Sequence, residues 1–166
     1  MSFVIRPYVP TDHDWVLQCE VELQEHERAL HDTRLPGLPH TQEYLAMLWD
    51  TLAQDQGIML IAEDAAGERL GLVAGHIVDQ PWPMETRDST RFGYVSDIFV
   101  KPQARGTGLA QALLDAVAAH LRQADPSLTR LRVNVLAVNR VACRAYEKAG
   151  FTPYEIMYER LLRPPT

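Results

Sequence analysis

Arg105-Gly106-Thr107-Gly108-Leu109-Ala110 sets two glycines between one regular element and the next. Tyr94 to Val100, just before it, is mostly β-branched, aromatic or apolar and predicts a strand. Leu109, Leu113, Val117 and Leu121, just after it, recur every four residues and predict a helix with one apolar stripe. A tight strand-to-helix turn leaves the first helical N–H groups unpaired and aimed outward. Those donors and the positive end of the helix dipole suit a pyrophosphate. Glycine lets phosphate oxygens reach the backbone with no Cβ in the way. Binding of a phosphorylated ligand is one reading of these residues, and a turn that merely turns is the other.

The rest of the chain supplies the elements that must hold this turn. Phe3-Val4-Ile5 predicts a short strand ended by Pro7 and Pro10. Thr11 or Asp12 is placed to cap a helix running to about Leu30, with Val16, Cys19, Leu23 and Leu30 as its buried stripe. Glu20, Glu22, Glu25 and Glu27, with Gln24 and His26, fall on its other faces, where solvation is the ordinary reading. After Leu35-Pro36-Gly37-Leu38-Pro39, Thr41 is placed to cap a second helix. Tyr44, Leu45, Leu48, Trp49 and Leu52 lie on its apolar side as core residues. Ile58 to Glu63 and Leu70 to Val78 predict a hairpin joined through Asp64 to Glu68. Pro81-Trp82-Pro83-Met84 is a rigid apolar loop. Thr129 to Leu136 and Ile156 to Leu161 predict further strands, the second closing the sheet. Between them Asn139 caps a helix that ends at Gly150. The order β-α-α-β-β-β-α-β-α-β implies a mixed α/β sheet with helices on both faces, in a single domain over 1–166.

Composition narrows the function. The 166 residues suffice to bury roughly two-thirds of the unfolded surface in one core. Hydrophobic residues at 46% and charged ones at 23% are ordinary for a globular protein. No apolar run approaches the roughly 20 residues that span a bilayer, and no signal peptide is evident, so no membrane partner is expected. Cys19 and Cys143 lack metal-ligand spacing and read as buried thiols of a cytoplasmic protein, with no metal. A net charge of −6 argues against nucleic acid and favours a cationic partner such as an amine. A Rossmann nucleotide fold would need its own glycine pattern and an acidic residue about 20 residues on, and neither is present.

Arg105-x-x-Gly108-x-Ala110 resembles the Arg/Gln-x-x-Gly-x-Gly/Ala motif of the GNAT acyl-CoA N-acyltransferases. Val133-x-Val135-x3-Asn139-x2-Ala142-x3-Tyr146-x3-Gly150-Phe151 is similar to a second block of that superfamily, in the right order and separation. Together the blocks cover about a third of the chain. The resemblance implies a GNAT-like fold in which the strands matching Val95 to Val100 and Thr129 to Leu136 splay apart to admit the pantetheine arm of acetyl-CoA. Backbone atoms of Ile98, Phe99 and Val100 would line that arm. Arg105, Gly106, Thr107, Gly108, Leu109, Ala110 and Gln111 would hold the pyrophosphate. Asn139 matches a cofactor contact and is equally a helix cap. Tyr146 matches the tyrosine that protonates the leaving thiolate, its other reading being a core aromatic beside Ala142 and Ala149.

The same resemblance leaves the base open. Superfamily members often carry glutamates where this chain has Ser96 and Asn134. Asp97 should face the opposite side of the strand, because side chains alternate, unless a bulge re-aims it. Asp97 or a water is expected to take the proton, with Glu27, Glu63 and His76 as further candidates. The first two helices overhang the acceptor site in such folds, which makes Gln24 and Glu27 acceptor contacts. Trp82 would wall the pocket or meet a second subunit of a homodimer. The implied activity is transfer of an acetyl group from acetyl-CoA to a primary amine, small molecule or peptide, by direct attack in a ternary complex. Amides of the central strand would stabilise the oxyanion. The alternative is a non-catalytic acyl-CoA-binding or sensing module.

Overall fold

Strands β1 (Val4–Pro7), β2 (Ile58–Glu63), β3 (Arg69–Asp79) and β4 (Arg91–Val100) pair antiparallel in that order. β5 (Leu131–Val133) lies parallel beside β4 and completes a five-stranded sheet. The computed structural model describes residues 2–162. Helices α1 (His13–Leu30) and α2 (Gly37–Gln54) cover one face of the sheet, and α4 (Leu109–Ala124) covers the other. A short helix α3 (Arg87–Thr90) precedes β4, and α5 (Arg140–Lys148) follows β5. The parallel β4–β5 pair needs a long crossover, which α4 supplies.

Alternation along the strands builds the two cores. Val73, Ile77 and Val95 point to α4, whereas Met59, Ile61, Leu72 and Ala74 point to α1 and α2. The α4 stripe is buried as its spacing predicts: Leu109, Leu113, Val117 and Leu121 are each 1% exposed or less. Each contributes roughly 1.5–3 kcal/mol on leaving water. α4 lies so close to the sheet that a Cβ on Gly75 would meet Val117 Cγ2 at 2.8 Å and Tyr94 O at 2.9 Å.

Four local expectations are corrected. Residues 151–161 form no strand: Ile156, Met157, Tyr158, Leu161 and Leu162 are all exposed, so the closing strand is absent from the sheet. The strand expected over Thr129 to Leu136 shrinks to Leu131–Val133, because β4 turns away beyond Val95 and leaves the later residues without a ladder partner. Thr41 does not cap α2; its hydroxyl donates to Gly37 O at 2.8 Å from a buried position. Neither Thr11 nor Asp12 caps α1 through its side chain.

Asp12 instead ties the first strand to the third. It is fully buried and accepts from Arg6 Nη1 at 2.7 Å, Arg69 Nε at 2.7 Å and Val9 N at 3.0 Å. Asp12→Ala strands two guanidinium groups and should cost about 3 kcal/mol. For a chain of this length that lowers Tm by roughly 6–12 °C. The Arg6 side-chain bond holds the carboxyl far below its ordinary value. A depressed folded pKa contributes stability above the unfolded pKa, and that contribution is lost as pH falls through the folded value. The Tm gap between parent and variant should therefore narrow below about pH 4. A gap constant down to pH 2 would remove the ion pairs as its cause.

Candidate active site

The glycine turn has the shape its sequence predicts. Gly106 and Gly108 stand at φ of +77° and +87°, where L side chains are strained. A Cβ built on either meets no atom within 4 Å, so the space above the turn is open. α4 begins at Leu109 with no side-chain cap, and its first bond runs from Ala112 N to Gly108 O at 3.1 Å. The preceding amides, through Leu109, Ala110 and Gln111, have no carbonyl one turn back to bind. Thr107 Oγ1 donates to Ala104 O at 2.7 Å and braces the loop. Arg105 Nε donates to Val100 O at 3.1 Å and ties the turn to the end of β4.

The splay is present as well. β4 and β5 pair only over Gly93–Val95 and Leu131–Val133, so β4 beyond Val95 has no strand neighbour on that side among the described residues. Lys101 N bonds Leu70 O on the β3 side, so by alternation Phe99 also addresses β3. The backbone groups of Ile98 and Val100 therefore face the gap, with the Val100 carbonyl already accepting from Arg105. Asn139 Oδ1 accepts from Ala142 N at 3.1 Å, which is the expected cap of α5.

A bulge decides where Asp97 points. Ala74 pairs with Asp97 and Gly75 with Val95, so Ser96 is the extra residue in β4. Two residues against one break the alternation and send Ser96 and Asp97 to the same face. Ser96 Oγ lies 3.0 Å from His76 Nδ1, and Asp97 Oδ2 accepts from the Tyr44 hydroxyl of α2. Asp97 thus stands on the α1–α2 side, where Glu20, Glu27 and Tyr94 surround it. Burial, reinforced by the Glu27 charge, pushes its carboxyl up to about 6 despite the Tyr44 bond. A half-buried carboxylate with that value can take a proton near neutral pH.

Tyr146 packs on the opposite core and feels the Asp97 charge from there. Its ring packs on Phe151, centroids 5.8 Å apart, and against the α4 cluster. Burial, then the charges of Asp97 and Glu27, push its hydroxyl up to about 12. The group stays protonated at every working pH and can donate to an anion that forms beside it.

The remaining candidates separate by their partners. Glu27 acts on Asp97 and Tyr146 by its charge, and Arg34 Nε stands 2.7 Å from it as an ion pair. Gln24 Nε2 donates to Leu35 O at 2.7 Å and holds the α1–α2 connection. Glu63 is bound by Arg6 at 2.7 Å on the β1–β2 edge. His76 lies edge-on to Tyr94, and burial lowers its pKa, so it is neutral beside Ser96. Trp82 is 61% exposed in its proline loop. Two residues of the cluster depart from what their sequence positions suggest. Glu20 is 4% exposed rather than solvated, and Tyr44 spends its hydroxyl on Asp97 rather than serving as plain core. The signal was helical spacing: Val16, Cys19, Glu20 and Leu23 recur at i, i+3, i+4 and i+7, so Glu20 shares the buried stripe.

Comparison with known proteins bears on this geometry. The model of the acetyltransferase (GNAT) family matches residues 22–151. Mycothiol acetyltransferase of Thermobispora bispora is 35% identical over 103 residues, covering 58% of this chain and 34% of that protein. Its counterpart from Salinispora arenicola is 37% identical over 102 residues, covering 58% and 33%. The chain spans about a third of the length of these curated relatives. Among solved structures, a predicted acetyltransferase with acetyl-CoA from Clostridium acetobutylicum superposes with a TM-score of 0.72, at 20% identity and 97% coverage of both chains. An aminoglycoside antibiotic 6′-N-acetyltransferase from Acinetobacter baumannii gives a TM-score of 0.69, at 17% identity, covering 96% of this chain and 98% of that one. The superpositions extend over nearly the whole of each chain, so the overall fold is shared. With the family model matching most of its length, the chain belongs to the acetyltransferase (GNAT) family.

Proposed function

We propose that this protein transfers an acetyl group from acetyl-CoA to a primary amine by direct attack in a ternary complex. What supports the reading is that Asp97, re-aimed by the bulge at Ser96, acts by its charge on Tyr146 from the other side of a sheet whose β4–β5 pairing ends at Val95. Acetyl-CoA, when bound, supplies the activated thioester. The open turn from Gly106 to Gln111 fits its pyrophosphate, and the backbone of Ile98 with the N–H of Val100, which face the gap, fits its pantetheine amides. Asp97 takes a proton from the acceptor ammonium, so that the nitrogen lone pair is free to form the N–C bond. Tyr146 gives its proton to the sulfur as the C–S bond breaks, and the second proton lost by the acylated nitrogen restores the Tyr146 hydroxyl. Asp97 replaces the glutamates absent at Ser96 and Asn134.

The acceptor is a small-molecule amine in this proposal, supported by relatives and neighbours named for mycothiol and aminoglycoside acetylation. The acidic and aromatic cluster would favour a cation there. Homodimerisation is part of the same proposal: exposed Ile156, Met157, Tyr158 and Leu162 form an apolar tail that a second copy would cover. Cys19 and Cys143 are both free, which suits a reducing compartment such as the cytoplasm.

The test is thiol release from acetyl-CoA against a panel of amines, read beside acetyl-CoA binding. Acetyl-CoA should raise Tm, because it binds only the folded chain. Gly108→Asp sets a side chain and a negative charge over the turn, and should abolish both the Tm rise and thiol release. Unchanged binding in that variant would overturn the cradle. Parental binding without release for any amine would convert the reading to a sensing module.

A further inference from the structure

Glu20 has no part in the transfer described so far, and its setting is costly for a carboxyl group. It lies in the second turn of α1, 4% exposed, with Oε1 lacking any hydrogen-bond partner. α1 packs on β4, and the Glu20 carboxyl lies within hydrogen-bonding reach of Asp97. The bulge at Ser96 is what brings Asp97 to this side, where Tyr44 already donates to it. Two ionised carboxylates cannot share one desolvated site, so one of them keeps a proton. Glu20 is the more enclosed of the two and lacks a donor, whereas Asp97 has the Tyr44 hydroxyl. The proton therefore belongs on Glu20.

The groups around the pair do not reverse that assignment. Cys19 and Glu27 approach from α1, Tyr44 from α2, His76 from β3, Tyr94 from β4 and Tyr146 from α5. Burial beside Glu20 and Glu22 pushes the Cys19 thiol up to about 12, so it is uncharged. His76 is neutral, and the tyrosines are protonated. Arg34 stands on Glu27 and Lys101 on Glu68, so neither serves the pair as counter-ion. Burial and the neighbouring Asp97 drive the Glu20 carboxyl well above its ordinary range.

We infer that Glu20 is a positioning residue, a carboxylic acid whose O–H donates to Asp97 and holds that carboxylate ionised and aimed into the acceptor site. The inference rests on Asp97 as the base proposed above. Loss of the donor would leave Asp97 harder to ionise, and the base would be empty of protons only at higher pH. An amide at position 20 keeps an N–H donor in the same place, so it should preserve the effect. A role for Glu20 as a second anion gripping the acceptor predicts the opposite, since an amide would then weaken binding.

The experiment is a carboxyl 13C NMR titration of the full chain, without acetyl-CoA or acceptor. The two resonances are assigned by their disappearance in Glu20→Gln and Asp97→Asn. Glu20 should titrate well above the ordinary carboxylate range and Asp97 near pH 6. In Glu20→Leu the Asp97 midpoint should rise by about one pH unit, and in Glu20→Gln it should stay within a few tenths. A Glu20 midpoint near the ordinary 4.3 would overturn the inference. So would an Asp97 midpoint that stays or falls in Glu20→Leu. Should Glu20→Leu fail to fold, the parental Glu20 midpoint still decides. Failure of the base assignment is read separately, as an Asp97→Asn protein that keeps its rate of amine acetylation.

Discussion

Tyr146→Phe should lower kcat about 100-fold or more, the usual scale for a lost proton donor. The Tyr146 ring packs on Phe151 and the α4 core, and phenylalanine keeps that packing. Only the oxygen is removed, so Tm and acetyl-CoA affinity should hold. With its pKa pushed up to about 12, the hydroxyl cannot protonate a resting thiolate of pKa near 8.5. It can do so only in contact with the sulfur as negative charge develops there. The loss should therefore fall on kcat rather than on KM for acetyl-CoA. It should be equal at pH 6 and pH 9, because the group does not titrate between them. A kcat within about threefold of the parent would reduce Tyr146 to a packing residue.

Asp97→Asn should cost a comparable factor, about 100-fold in kcat/KM, and should change the shape of the pH profile. The parent should lose activity as pH falls through about 6, where Asp97 takes up a proton. The variant should lack that limb and rise instead with the acceptor's own ionisation near pH 10. Stability moves the other way. A carboxylate whose folded pKa is raised by burial is costly in its ionised form, so the asparagine should leave Tm at neutral pH unchanged or higher. Activity lost with Tm retained separates a poised base from a structural carboxylate. A limb near pH 6 that persists in the variant would shift the role to Glu27 or His76, the other titratable candidates that face this cluster.

Regular elements built on one-dimensional spacing were legible, and so was the turn between β4 and α4. Leu109, Leu113, Val117 and Leu121 needed no partner to be recognised, and Gly106 and Gly108 adopt the positive φ that their placement suggested. The bulge entered only as a possibility carried by the resemblance, and no residue of β4 settled it. Ser96 has no composition that marks it, and its extra place in β4 arises from the pairing with Ala74 and Gly75. Glu20 escaped because a glutamate at a stripe position conflicts with the rule that charges face water. That rule fails here because Asp97 arrives from β4, 77 residues beyond Glu20 in the chain. The closing strand failed for a related reason. Ile156 to Leu161 has strand composition, but a strand forms only against a partner, and β5 ends at Val133.

Acetyl-CoA carrying a radiolabelled acetyl group, mixed with this protein and an amine acceptor, tests the central claim most directly. The label is followed to the amine, to the protein and to unreacted acetyl-CoA. Direct attack within the splayed strands predicts label on the amine nitrogen, appearing together with free CoA, and none bound to the protein after denaturation. Label held on the protein would contradict direct attack. Label left on acetyl-CoA across the whole panel of amines, with binding intact, would contradict catalysis itself.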